Sequence, residues 1–317
     1  MRAVIVGGGS VGLLMAARLQ LGGVAVHLLT RSEEQAECIR ASKIILHELD
    51  NQIQTVPVLA SSFEQKWPLA DIYLIAVKQT QLNSIVQKLQ QIPPGAKVIA
   101  LQNGMGHREL LAESVPSDQL YFGVNTEGAR RISLHEVVHT GQGIIRIGPW
   151  VAQLAQDPVV QAFVDRARRG EIPAEYVDET SSLLWRKLAA NAVINPLTAI
   201  AEVSNGQLLE VPSMLELMRS VFEEVRMVAK AFGHKLAEND WQDILYICRS
   251  TSKNYSSMLQ DLLNNKETEI DSINGYIVER ARELEIMTPM NDTLYRAVLL
   301  KSNLPRSKGE TFDEIAE

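Results

Sequence analysis

Arg2-Ala3-Val4-Ile5-Val6-Gly7-Gly8-Gly9-Ser10-Val11-Gly12-Leu13-Leu14-Met15-Ala16-Ala17-Arg18-Leu19 opens the chain with a short apolar run, a glycine turn and an apolar-faced helical stretch. Gly7, Gly9 and Gly12 keep the spacing G-x-G-x-x-G. There the first glycine permits a tight turn, the second lets backbone N–H groups approach a pyrophosphate, and the third lets the helix pack close on the strand. A helix that starts at the turn aims its unpaired N–H groups and positive dipole end at an anion. The stretch therefore predicts a Rossmann-type dinucleotide site formed by Gly7, Gly8, Gly9, Ser10, Val11 and Gly12, against the alternative of a purely structural turn.

Residues 24–29 read as the second parallel strand, whose end selects the ribose of the dinucleotide. An acidic residue there would bind the 2′-hydroxyl and repel a 2′-phosphate. Thr30-Arg31-Ser32 instead offers a cation flanked by hydroxyls, which favours NADP(H) as cofactor. In the alternative, Arg31 is solvated and Glu33 or Glu34 takes the ribose.

At 317 residues the chain has room for two domains. Its 46% hydrophobic and 22% charged residues are those of an ordinary soluble globular protein. No run approaches the ~18 apolar residues of a membrane span. The N-terminus is strand-like from residue 3, which leaves no room for a signal peptide and implies a cytoplasmic location. Cys38 and Cys248 lack metal-ligand spacing and read as buried or incidental thiols. A net charge of −7 without a basic stripe argues against nucleic acid as a partner. An anionic cofactor then needs local cations, which draws attention to Arg31 and Lys78.

Residues 43–47 and 53–58 suggest a hairpin or crossover excursion, and residues 71–78 a strand buried on both faces that ends in Lys78. Ligands gather at the carboxyl ends of strands in open α/β sheets. Lys78 there either meets a phosphate or only ends the strand in solvent. Residues 81–91 have helical spacing up to Pro93-Pro94, and a strand at 97–102 delivers Asn103-Gly104-Met105-Gly106 to the same sheet edge. Asn103 could serve a substrate or cofactor from there, or simply make an Asn-Gly turn. Later strands are expected at 121–126, 136–140 and 143–148, some antiparallel, then a helix at 158–169 and an edge strand at 172–177. His135 and His139 lie on one strand face without converging, so no metal site is expected.

From about Asp178 the pattern turns almost wholly helical. The fold class expected is thus α/β plus all-α: an NADP-binding Rossmann-type domain over 1–177 and a helical substrate domain over 178–317, with a cleft between them. The segment after Pro305 is polar and expected to fray.

Lys187, Asn191 and Asn195 sit four apart in an otherwise apolar helical stretch. Each step of four turns a helix by ~40°, so the three form one stripe. Such a stripe is either a solvent face or the wall of a polar cleft, and asparagine's poor helix propensity favours the cleft. A lysine there suits ketone reduction, because an ammonium stabilises the developing alkoxide and then gives it a proton. Asn254 and Ser257, three apart, could face one ligand or merely cap a helix. Glu269 begins the next apolar-periodic helix, where the dipole favours a carboxylate whatever its function.

The glycine turn, Asn103-Gly104-Met105-Gly106, Trp185-Arg186-Lys187-Leu188 with Asn191 and Asn195-Pro196-Leu197-Thr198-Ala199, Ser256-Ser257-Met258-Leu259-Gln260-Asp261 and Thr268-Glu269-Ile270-Asp271 together closely resemble the ketopantoate reductase family. The resemblance spans nearly the whole chain, with residues 110–180 the least matched. It implies NADPH-dependent reduction of 2-dehydropantoate to (R)-pantoate, on the way to pantothenate and coenzyme A. By the family's motif Lys187 looks like the general acid, with Glu269 the cleft glutamate close to cofactor and substrate and Asn103 near both nicotinamide and substrate. Asn191, Asn195, Asn205 and Ser257 resemble the substrate binders. Arg31 and Lys78 match the cations that meet the NADP phosphate, and Ala129 a cofactor contact. A related dehydrogenase acting on another 2-keto acid and an NADP-sensing regulator remain as alternatives, and a homodimer stays open.

Overall fold

The computed structural model describes residues 1–153 and 155–304, so the polar segment after Pro305 lies outside the described residues. The chain divides into two compact units, one of residues 1–102 and 107–181, the other of Asn103–Gly106 and the chain from Ser182 onward.

In the first unit β1 (Arg2–Val6) leads into α1 (Ser10–Leu21), β2 (Ala25–Thr30), α2 (Glu33–Ser42), β3 (Ile44–His47), β4 (Ile53–Val56), β5 (Leu59–Ser62) and β6 (Ile72–Ile75). After a 3-10 turn at Gln79–Ser84 come α3 (Val86–Leu89), β7 (Lys97–Ala100), α4 (His107–Ala112), β8 (Leu120–Asn125), β9 (Gly128–Arg131), β10 (Glu136–Gly141), β11 (Ile145–Gly148), α5 (Pro158–Arg169) and β12 (Ala174–Tyr176). The main sheet has the order β12-β11-β8-β7-β6-β1-β2-β5. Its six strands from β8 to β5 run parallel, while β11 is antiparallel to β8. Between β1 and β6 the direction of winding reverses, the crevice where doubly wound sheets bind nucleotides. The glycine turn follows β1 directly.

A second sheet, β4-β3-β10-β9, packs on the same unit. Helix α1 contacts β1 and β2 of the main sheet and β3, β9 and β10 of the small one. That explains why every residue from Gly12 to Leu19 is buried, since a helix covered on both sides is apolar all round. Arg18 is the exception in kind, and its guanidinium pairs with Glu48 and Glu171. His139 Nε2 lies 2.6 Å from Glu127 Oε2 and its Nδ1 3.4 Å from Arg18 Nη2, extending these pairs into a buried polar network. Among the described residues no three His, Cys, Asp or Glu side chains group in a way that could hold a metal ion. Cys248 is fully buried and Cys38 partly so.

The helix expected at 81–91 is instead a 3-10 turn followed by the four-residue α3. Its apolar residues Leu82, Ile85, Val86 and Leu89 are nonetheless all buried. The Ser84 hydroxyl donates to the Gln81 carbonyl, and such a local bond competes with α-helical continuation. Strands β5 and β9, Leu59-Ala60-Ser61-Ser62 and Gly128-Ala129-Arg130-Arg131, were not expected, because neither carries an alternating apolar pattern.

The second unit is helical. It holds α6 (Ser181–Ala201), which begins at the unit boundary, then α7 (Pro212–Ala231), α8 (Glu238–Ser250), α9 (Ser257–Leu263), a π-helical turn at Asp271–Gly275, α10 (Tyr276–Glu283) and α11 (Pro289–Asn303). Trp185 of α6 anchors the core, its ring against Phe232, His234 and Tyr276. No helix of the described residues is long and apolar enough to cross a membrane.

Candidate active site

The glycine turn has the backbone its sequence demands. Gly7 has φ +121, and a Cβ there would lie 2.9 Å from the Ala76 carbonyl carbon and the Val77 nitrogen of the loop after β6. A Cβ on Gly12 would lie 1.7 Å from the Gly7 oxygen, so α1 seats directly on the turn. At Gly9 a Cβ would meet no atom within 4 Å. Gly9 is also the N-cap of α1 and supplies no side-chain cap, leaving the first-turn N–H groups of Ser10 and Val11 for an external anion. This combination of close backbone packing and an open, uncapped helix start fits a dinucleotide pyrophosphate.

Two residues that sequence reasoning missed brace the turn. The Gln35 amide donates to Gly8 O and to Leu134 O, both at 2.8 Å, and Arg131 donates from Nη1 to Gly8 O at 3.0 Å and from its backbone N to Ser10 Oγ at 3.0 Å. A Ser32-x-x-Gln35 capping-box pattern marked Gln35, whereas nothing local marked Arg131. Ala129 sits partly exposed on β9, two residues before Arg131. Lys78 is partly exposed just beyond β6.

The end of β2 differs in detail from its sequence reading. Thr30 is fully buried and its hydroxyl donates to Ser32 O at 2.8 Å, while Ser32 Oγ caps α2 by accepting from Gln35 N. The two hydroxyls thus shape the strand-to-helix corner. Arg31 is exposed and, among the described residues, pairs with no carboxylate.

In the second unit Asn103 donates from Nδ2 to Glu269 Oε2 at 3.0 Å. The loop that carries Asn103 is fastened by Met105 N, which donates to Ser272 O at 2.8 Å. At Gly104, φ +78, a Cβ would lie 2.3 Å from that same Ser272 oxygen, so the Asn-Gly pair lets two backbones touch. Glu269 is 9% exposed and close enough to Lys187 for its charge to be felt. Desolvation lowers the Lys187 pKa from 10.5 to about 8, with the Glu269 carboxylate opposing the shift. An ammonium held near neutrality beside a carboxylate is the state a proton donor requires.

Asn191 and Asn195 follow Lys187 along α6, half-buried and buried respectively. Among the described residues their side-chain amides bond to no protein group. Past them Thr198 Oγ1 donates to Ser256 Oγ at 2.7 Å, and Ser256 caps α9 by accepting from Leu259 N. Ser256 therefore carries the capping role, leaving its exposed neighbour Ser257 uncommitted to it. Asn205 is buried; its backbone N donates to Asn254 O at 2.9 Å and its amide to Thr251 Oγ1 at 2.9 Å, while its Oδ1 has no partner. Asn254 is exposed. Lys187, Glu269 and Asn103 thus interact directly, whereas Asn205, Asn254 and Ser257 are linked to α6 through the Thr198–Ser256 bond and the chain around it.

Two family models match the chain: ketopantoate reductase PanE/ApbA over residues 3–152, and the ketopantoate reductase PanE/ApbA C-terminal domain over residues 179–302. The 2-dehydropantoate 2-reductase of Bacillus subtilis (strain 168) is 35% identical over 281 residues, covering 89% of this chain and 91% of that protein. A PanE/ApbA family ketopantoate reductase from Ralstonia eutropha JMP134 superposes with TM-score 0.87 at 29% identity, over 96% of this chain and 99% of that one. D-mandelate dehydrogenase, in a ternary structure with NADH and anilino(oxo)acetate, shares the fold with TM-score 0.87 at 23% identity, over 96% and 99%.

Proposed function

The chain belongs to the ketopantoate reductase family, and on that premise we propose that it reduces 2-dehydropantoate to (R)-pantoate with NADPH, in the cytoplasm. The observation that carries the reading is Lys187, an ammonium whose pKa is brought down to about 8 next to Glu269 at the head of a stripe of unclaimed amides. When bound, NADPH supplies the hydride that reduces the ketone carbon.

The chain's own residues do the rest. The glycine turn and the start of α1 hold the pyrophosphate, and Arg31 and Lys78 meet the 2′-phosphate. Lys187 donates a hydrogen bond to the ketone oxygen, stabilises the charge that develops there and transfers its proton to give the hydroxyl. Glu269 keeps Lys187 protonated near neutral pH and accepts from the substrate hydroxyl. Asn103 fixes the rotamer of Glu269 through their shared hydrogen bond. Asn191, Asn195, Asn205, Asn254 and Ser257 supply donors for the carboxylate and hydroxyl of a 2-keto acid.

The deciding experiment follows NADPH oxidation with ketopantoate and with neighbouring 2-keto acids. A clear preference in kcat/KM for ketopantoate supports the assignment. Higher kcat/KM for another 2-keto acid transfers the function to that substrate, and binding of NADPH without turnover of any would make the protein a sensor.

A further inference from the structure

Pro196 interrupts α6 one residue past Asn195. Having no N–H, it leaves the carbonyl four residues earlier, that of Ala192, without its helical donor. Ala192 is fully buried, so no water stands ready to replace that donor. The Asn274 side chain does so: its Nδ2 lies 3.1 Å from Ala192 O. The second N–H of the same amide goes to Asn291 Oδ1 at 3.0 Å.

Behind Asn274 the bonds continue into a charged anchor. Asn291 donates from Nδ2 to Glu224 Oε2 at 2.7 Å, and Glu224 also accepts from the backbone N of Met290 and of Asn291, at 2.8 and 2.9 Å. These two N–H groups belong to the first turn of α11, where the helix dipole favours a carboxylate. Asn274 and Asn291 are 0% exposed and Glu224 6%. With both of its donors committed, the Asn274 amide is left one orientation.

The position of Asn274 in the chain makes this more than the satisfaction of buried polar groups. It lies on the π-helical turn Asp271–Gly275, five residues after Glu269, and that turn also presents Ser272 O to Met105 N. One turn of backbone therefore grips the Asn103 loop through Ser272 and α6 through Asn274. The grip on α6 falls at Ala192, between the two amides Asn191 and Asn195. We infer that Asn274 is a positioning residue of the reductase reaction: its amide replaces the helix bond lost at Pro196 and so sets where Asn191 and Asn195 stand relative to Lys187 and Glu269. The inference rests on the reading of α6 as the substrate-binding helix.

A double-mutant cycle of Asn274→Ala and Pro196→Ala tests it. Asn274→Ala strips the donor from Ala192 O, and Pro196→Ala restores a backbone N–H able to reach the same oxygen. The single Asn274→Ala variant is expected to lose ~10–100-fold in kcat/KM for the keto acid, the scale of a small misplacement, mainly through KM. NADPH affinity should stay near the wild-type value, and hydrogen exchange over residues 191–198 should quicken. Adding Pro196→Ala should restore most of the KM and slow the exchange again. A double variant no better than Asn274→Ala would overturn the inference, as would a single variant with wild-type KM and exchange. So would a variant whose only change is a lower Tm, the mark of a merely structural amide. Should Asn274→Ala not fold, Asn274→Ser goes through the same cycle. A wild type that does not reduce ketopantoate would sink the proposed function alone, because the exchange measurement needs no substrate and still decides whether Asn274 sets the Asn191–Asn195 segment.

Discussion

Asn103 and Glu269, 166 positions apart, share a 3.0 Å hydrogen bond from the asparagine amide to the carboxylate. Asn103 follows the fifth parallel strand of the nucleotide-binding sheet in chain order, yet it groups with the helical unit through Met105 N and Ser272 O. The negative charge of the same carboxylate acts on Lys187, opposing the fall of its pKa. A glutamate placed so tunes a neighbouring lysine without neutralising it.

From this arrangement Lys187→Ala should lower kcat by ~10²-fold or more, the usual scale for a positioned acid, while NADPH binding changes little. Lys187→Arg should be nearly as inactive, because a guanidinium keeps the charge but does not release a proton near neutral pH. Stopped-flow turnover together with fluorescence titration of NADPH separates the two effects, and near-normal turnover in either variant removes Lys187 from the mechanism.

The pH profile carries a sign. The donor must be protonated, and its pKa in the free enzyme is brought down to about 8, so kcat/KM for reduction should fall as pH rises through that value. Oxidation of the hydroxy acid needs the neutral amine and should rise over the same range. Glu269 opposes the lowering, so Glu269→Gln should move the alkaline limb to lower pH. A limb that stays in place would mean that another group titrates.

The same desolvation acts on stability. Lys187 has a folded pKa below the 10.5 of the solvated chain, so the unfolded state binds more protons between the two values and stability rises with pH across that window. Below about 8 the full penalty of holding the ammonium out of water is present. Lys187→Met should therefore raise Tm at pH 7 while abolishing turnover, and the gain should shrink as pH climbs from 8 towards 10.5. Calorimetry at several pH values checks this, and a destabilised Lys187→Met would show that the ammonium's contacts outweigh its desolvation.

How far the sequence could be read depended on whether a feature's cause was local. The glycine turn was legible because Gly7 and Gly12 answer to backbone contacts within a few residues or on the adjoining strand. Lys187, Asn191 and Asn195 were legible as a stripe because the helix period alone aligns them. Thr30 was misread: its hydroxyl type suited a phosphate, but the corner it forms with Ser32 turns that hydroxyl inward. Strands β5 and β9 escaped notice because backbone pairing holds them despite polar side chains. Ser272 and Asn274 escaped for another reason. They act on Met105 and Ala192 across long stretches of chain, and no periodicity records a side chain matched to a distant proline.

The glycines make a paired prediction. A Cβ on Gly12 would overlap the Gly7 oxygen at 1.7 Å, whereas one on Gly9 would meet nothing within 4 Å. Gly12→Ala should thus destabilise the fold and reduce NADPH binding, while Gly9→Ala should keep the wild-type Tm and lose NADPH affinity alone. Thermal melts beside NADPH titrations decide it, and full affinity in Gly9→Ala would place the pyrophosphate elsewhere.

Cofactor choice turns on Arg31. With the Thr30 hydroxyl committed to Ser32 O, the exposed Arg31 guanidinium remains at the end of β2 to meet a 2′-phosphate, beside the Ser32 O–H, whose oxygen accepts from Gln35 N. A charge-assisted hydrogen bond is worth ~1.5–3 kcal/mol, which corresponds to roughly ten- to 150-fold in affinity. Lys78, beyond the end of β6, supplies a second cation in the proposed site, so Arg31→Ala should weaken NADPH without abolishing its use. Arg31→Asp should do more, since it repels the phosphate and offers an acceptor to the ribose hydroxyls of NADH. The wild type should then prefer NADPH, and Arg31→Asp should narrow or reverse that preference. The measurement is kcat/KM for both cofactors in both proteins. An unchanged ratio would assign Arg31 to the solvated surface and leave Lys78 to carry the selectivity.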